Sequence, residues 1–172
     1  VIPLSSQPTI NDELYGNSNA WFGSADATGT ISVGYAFTSE YEASSTVLVD
    51  AIAFGRDNSQ SNRYHNNYAG AYTIQITQYS ATVPGDVERT QETFEQVFST
   101  GMQDQGQWET VDTLLYDADS PDHQPWKRHY YRLSPPVPAT AIRIVTSNPS
   151  IVIDEFEVYG ASPLSPDWVP TQ

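Results

Sequence analysis

Ile151–Gly160 reads IVIDEFEVYG, a run whose apolar and acidic residues alternate with the two-residue period of a β-strand. Ile151, Ile153, Glu155, Glu157 and Tyr159 fall on one face, and Val152, Asp154, Phe156 and Val158 on the other. If the face of Ile151 and Ile153 is buried, the Glu155 carboxylate needs a partner, because an uncompensated buried charge is costly. If the buried stripe ends at Ile153, Glu155 and Glu157 simply point to solvent.

Working outward from this strand, alternating or β-branched runs bounded by Gly, Pro, Asn and Asp dominate the chain. Strands are expected near Thr30–Phe37, Thr46–Phe54, Ala71–Tyr79, Trp108–Tyr116, Trp126–Leu133, Ala141–Thr146 and Ile151–Tyr159. In Tyr72–Tyr79, Tyr72, Ile74 and Ile76 alternate with Thr73, Gln75 and Thr77, giving one buried and one wet face. Thr90–Thr100 fits a short helix or a strand, with Phe94, Val97 and Phe98 on one helical face. About eight strands separated by turn signals give an all-β fold, an antiparallel β-sandwich of the jelly-roll type. Residues 1–160 form this domain, and the Pro-rich Ala161–Gln172 reads as an exit segment or linker to other modules.

Composition narrows the function classes. The chain has 172 residues, enough for one ordinary domain, and carries 21 acidic against 7 basic side chains, a formal net charge of −14. Nucleic acid is a poor partner for such a surface, since binding phosphates requires a basic patch. There is no Cys, hence no disulfide framework or thiolate metal site. No apolar run reaches the ~20 residues that membrane insertion needs.

Three regions resemble one family. Pro136–Gly160 (PVPATAIRIVTSNPSIVIDEFEVYG) resembles the close of discoidin, or coagulation-factor C-type, domains and of family 32 carbohydrate-binding modules. Ala53–Thr77 is similar to their G-R-D…R…Y-x-I segment, and Asn11–Trp21 (NDELYGNSNAW) to their acidic loop leading into a Trp. The resemblance implies a galactose-binding-like sandwich, secreted or at the surface of a bacterial cell. This chain departs in a longer first loop and in lacking the disulfide that often joins the termini.

The resemblance further implies one structural Ca²⁺ where the first loop meets the last strand. Carried onto this chain, side-chain oxygens come from Asp12, Ser18 and Glu155, and backbone oxygens from around Tyr15–Asn17 and from Asp154. Such hard oxygen donors are what Ca²⁺ takes. A second cluster, Asp117, Asp119, Asp122 and His123, has ligand-like spacing but no Gly for a sharp calcium loop, and reads as a solvated turn.

For a ligand, Gly55–Gly70 (GRDNSQSNRYHNNYAG) concentrates planar and charged hydrogen-bonding groups: Arg56, Asp57, Asn62, Arg63, Tyr64 and His65. Such groups chelate sugar hydroxyls while an aromatic face stacks on the ring. Arg56 and Arg63 stand seven apart, a spacing similar to fucose-binding lectins of the same fold. The same arginines can instead brace the loop through carboxylates such as Asp57. Phe22 and Tyr41 are further stacking candidates, while the resemblance implies a core position for Trp21. Lys127, Arg128, Arg132 and Arg143 crowd into two consecutive strands, either as a basic stripe for an acidic polysaccharide or as charge pairs within an acidic chain.

Catalysis has no support: the chain lacks a G-x-S-x-G elbow, an H-E-x-x-H motif and a phosphate loop, and His123 and His129 lack partners in a recognisable order. The expectation is a non-catalytic module that binds a polysaccharide or oligosaccharide within a larger protein. An adhesive or structural domain making protein contacts is the alternative, and a polysaccharide hydrolase or lyase a remote one.

Overall fold

A computed structural model describes residues 2–3, 21–22, 29–55, 70–117, 120–121, 129–147, 152–153 and 155–160. In chain order the strands are β1 (Ile2–Pro3), β2 (Trp21–Phe22), β3 (Ile31–Ala36), β4 (Thr38–Ser39), β5 (Ala43–Ser44), β6 (Val47–Gly55) and β7 (Gly70–Thr77). Helix α1 (Gln91–Asp104) follows, then β8 (Glu109–Tyr116), β9 (His129–Ala139), β10 (Ala141–Thr146), β11 (Val152–Ile153) and β12 (Glu155–Gly160). A five-stranded sheet in the order β1-β3-β10-β7-β8 and a three-stranded sheet in the order β12-β6-β9 hold most of the strand residues described. Their pairings are all antiparallel.

The two sheets pack face to face. Ile31, Val33, Tyr35, Tyr72, Ile74, Ile142 and Ile144 of the larger sheet share one core with Val49, Ile52, Phe54, Leu133 and Phe156 of the smaller. In β7 the expected alternation holds: Tyr72, Ile74 and Ile76 are buried, while Thr73 and Gln75 are half-buried on the outer face. Aromatic rings fill the middle. Phe54 lies 5.6 Å from Tyr72 and 5.9 Å from Tyr116, and Tyr35 stacks on Phe156 at 5.2 Å. Edge-to-face and offset contacts of this kind add to what burial alone contributes.

Thr90–Thr100, open to either reading, is helical. The Thr90 hydroxyl caps α1 by accepting a hydrogen bond from the Thr93 N–H at 3.2 Å. Phe94 and Phe98 bury one helical face against Ala36, Ala81, Val83 and Ala141, with Val97 and Met102 beside them. The helix therefore lies on the outer face of the five-stranded sheet, where small residues let it approach. Gly101 serves the same closeness, since a Cβ there would collide with the Tyr79 phenol.

Two expected strands need correction. Ile151–Tyr159 is not one strand: β11 pairs with β2, whereas β12 pairs with β6 in the three-stranded sheet. Ile153 and Glu155 thus pair in different sheets, so the alternation does not run through. Phe156 and Val158 pack against the core, while Glu157 is half-buried and Tyr159 exposed. The strand expected to end at Leu133 continues as β9 to Ala139 through Pro135, Pro136 and Pro138. It is an edge strand, with a register shift opposite Val49 and Ala51, and such positions tolerate residues that cannot donate to a ladder. Residues 161–172 lie outside the described residues.

Candidate functional site

Strand directions give the sandwich two distinct ends. Ala36, Thr77, Ala139 and Ala141 share one end, where Thr140 turns β9 into β10. There the Thr140 N–H donates to the Thr77 carbonyl at 2.8 Å, and the Phe37 N–H donates to the Thr140 carbonyl at 2.8 Å. The opposite end holds Ile31 and Thr146, Gly70 and Tyr116, and Gly55 beside Glu155. His129 sits there too, its ring edge-on to Tyr116 at 5.2 Å.

The candidate loop starts and finishes at this second end. β6 leaves the three-stranded sheet at Gly55 and β7 enters the five-stranded sheet at Gly70. Arg56, Asp57, Asn62, Arg63, Tyr64 and His65 themselves lie outside the described residues. β2, with Trp21 and Phe22, belongs to this end because its partner β11 precedes β12 by one residue. Tyr41 does not. It sits in the turn between β4 and β5, at the end where Ala36 and Thr140 lie, with its side chain exposed and its φ at 57°. The length of β6, at ~3.3 Å per residue, separates it from Gly55.

Of the expected metal ligands, Asp12, Asn17, Ser18 and Asp154 lie outside the described residues. Glu155 is described, and it is 1% exposed. Its burial is not owed to the pleat, because Glu157 and Tyr159 on the same face are open to varying degrees. It comes from Glu155's position at the head of β12, opposite Gly55. Nearby, the Tyr35 hydroxyl donates to the Phe156 carbonyl at 2.8 Å. Burial pushes the Tyr35 phenol well above its ordinary value of 10.0, and the charges of Glu155 and Glu157 push it further. In the second acidic cluster Asp117 is exposed, while Asp119, Asp122 and His123 lie outside the described residues. Among the described residues no three His, Asp or Glu side chains group around a common point.

Arg132 and Arg143 do not share a stripe. Lys127 and Arg128 lie outside the described residues, and β9 and β10, though consecutive, belong to different sheets. Arg132 stands on the outer face of the small sheet near Asp50, with 3.5 Å between Nη2 and Oδ2. Arg143 stands on the outer face of the large sheet, where its guanidinium lies 4.2 Å over the Trp108 ring. Its Nε donates to the Gln75 side-chain oxygen at 2.8 Å, and the Gln75 amide donates to the Thr110 hydroxyl at 3.3 Å. Gly34 faces Arg143 across the ladder, and a Cβ there would collide with the Ile142 carbonyl and the Arg143 backbone. The outer-face parity of Gln75 and Arg143 is readable in the sequence. Their meeting with Trp108 depends on strand order and was not.

No family model matches the chain, and neither does any curated protein. Solved structures do. The family 32 carbohydrate-binding module of NanJ from C. perfringens, solved with galactose, aligns with a TM-score of 0.52 and 13% identity over 90% of this chain and 86% of that one. A chain of the Streptococcus pneumoniae β-galactosidase BgaA aligns with a TM-score of 0.55 and 15% identity over 90% and 80%. An F5/8 type C domain from Bacteroides fragilis aligns at 0.49 with 14% identity over 88% and 78%. The resemblance read from Pro136–Gly160 and Ala53–Thr77 holds at the level of fold: this chain is a β-sandwich built like the family 32 carbohydrate-binding modules.

Proposed function

We propose that this chain is a non-catalytic carbohydrate-binding module, part of a secreted bacterial protein with further domains. The observation that carries the reading is the division of the sandwich into two ends. Gly55, Gly70, Tyr116, His129 and Glu155 converge at one end, and the sequence richest in sugar-chelating groups, Arg56 to His65, departs from it. The likeness in fold to a module solved with galactose supports the same reading. Such a module acts by holding an attached domain near its polysaccharide, which raises the effective concentration of substrate.

One structural Ca²⁺ at this end belongs to the proposal. The donor set, Glu155 with Asp12, Asn17, Ser18 and Asp154, is all hard oxygen. Glu155 fits because it is a carboxylate buried at the head of β12, where a cation offsets the cost of its charge. The ion would fix the first loop against the last strand and take no part in chemistry.

The test is electrophoresis through gels containing neutral galactose-rich, uronic and sulfated polysaccharides. Retention on one of them that is lost in Arg56→Ala or Arg63→Ala supports the module. No retention on any, together with concentration-dependent self-association, supports the adhesive alternative and overturns the proposal.

A further inference from the structure

Outside the loop end, two cavities open on either side of one residue, Trp108. The larger, about 560 Å³, is bounded by Thr77, Gln78, Tyr79, Gln105, Gln107 and Glu109 besides Trp108. That volume lies within the range of small-ligand sites. The smaller, about 200 Å³, runs between α1 and the sheet and is bounded by Ser99, Gln103, Gly34 and Arg143. Trp108 is only half-buried although it walls both, and Gln78, Gln103, Gln105 and Gln107 around it are exposed. An aromatic ring set among planar amides and a guanidinium matches what a sugar presents: an apolar ring face edged by adjacent hydroxyls.

We infer that this cleft is a second glycan site, for a short neutral oligosaccharide. A sugar ring stacks on Trp108 in the larger cavity, with the amides of Gln78, Gln105 and Gln107 and the carboxylate of Glu109 hydrogen-bonded to its hydroxyls. Arg143 closes the other side of the same Trp. Its orientation is set by Gln75 and by the absence of a side chain at Gly34, so little ordering entropy is lost on binding. Neutral sugars fit better than acidic ones for two reasons. Glu109 stands in the larger cavity, and a chain with net charge −14 repels polyanions at long range.

The inference rests on the proposal that the domain binds glycans, but its site is separate from the loop. The experiment titrates the whole ¹⁵N-labelled chain with neutral cello-, xylo- and galacto-oligosaccharides, and in parallel with oligogalacturonate, following the Trp108 indole resonance assigned through Trp108→Phe. At least one neutral series is expected to move that resonance. Trp108→Ala, followed through the backbone amides of residues 105 and 107, should weaken the titration about tenfold. Because Trp108→Ala can disturb the packing of α1, the double variant Gln105→Ala/Gln107→Ala, at two exposed positions, is expected to weaken it as well with the melting midpoint unchanged. An indole resonance unmoved by every neutral sugar, unchanged affinity in both variants, or a preference for oligogalacturonate overturns the cleft. If gel retention disappears in Arg56→Ala or Arg63→Ala while Trp108 stays silent, the cleft fails and the loop site stands. If Trp108 responds and those arginine variants change nothing, the loop site fails instead.

Discussion

At the α1 end of the sandwich, Thr140 alone separates β9 from β10, and its backbone is hydrogen-bonded to Thr77 and Phe37. The Ser44 N–H donates to the Ala81 carbonyl at 2.8 Å, and the Ala81 N–H donates back to the Ser44 hydroxyl at 2.9 Å. At the opposite end, strands stop at Gly55, Gly70, Tyr116 and Glu155, and residues 56–69 and 117–128 make the connections. One end spends its polar groups on its own backbone. The other is where β6 ends at Gly55 and β7 begins at Gly70, beside the buried carboxylate of Glu155. A rigid frame at one end and sequence freedom at the other is the division expected of a binding domain.

The sharpest way to break that comparison is Phe98→Ala. It empties a site packed between α1, Tyr79 and the sheet, and should cost about 3–5 kcal/mol of stability. Glycan retention at the loop end, measured at a temperature where the variant remains folded, should persist. A loss of retention without unfolding would mean the ends are not independent.

Next in size is Ca²⁺. A ligand at a hundred times its Kd stabilises the fold by about 2.7 kcal/mol, so a chelator should lower the wild-type melting midpoint. Glu155→Gln should abolish that difference. A wild-type midpoint indifferent to chelator would remove the ion from the account.

Tyr35 gives a smaller, pH-dependent effect. Its folded pKa is raised, so its contribution is complete below pH 10 and is lost as pH rises, because the unfolded chain releases this proton first. Tyr35→Phe should cost about 1 kcal/mol at neutral pH through the hydrogen bond to Phe156. It should also flatten the alkaline fall in denaturant midpoint. An alkaline limb as steep as the wild type's would show that other groups govern it. Smallest of all is the Arg89–Glu42 pair, 2.8 Å apart with both side chains about half exposed. Arg89→Ala should change stability by no more than about 0.5 kcal/mol, and a larger shift would mean that this contact helps to anchor the β4–β5 hairpin.

Strand positions were legible in the sequence wherever one face is buried, as in Tyr72–Ile76 and Ala141–Thr146, because period-two patterning reports directly on burial. Phe94, Val97 and Phe98 likewise carried the helical face of α1. Harder to read were the places where topology overrides local pattern. Glu155 follows Ile153 in parity but belongs to a different sheet, and its burial follows from the place where β12 begins. Pro135, Pro136 and Pro138 lie in β9, where an edge position permits residues that cannot donate to a ladder. Arg132 and Arg143 lie on consecutive strands but stand on opposite outer faces, and the pairing of Arg143 with Gln75 and Trp108 required the strand order β10-β7-β8.

Where a retained glycan makes contact separates the two ends most directly. Amide chemical-shift mapping with the best-retained neutral sugar should move Gly55, Gly70, Tyr116, His129 and Glu155 together, with the amides of Tyr41 and Glu42 unmoved. Perturbation centred on the β4–β5 hairpin, or none at the loop end with any retained glycan, would contradict it.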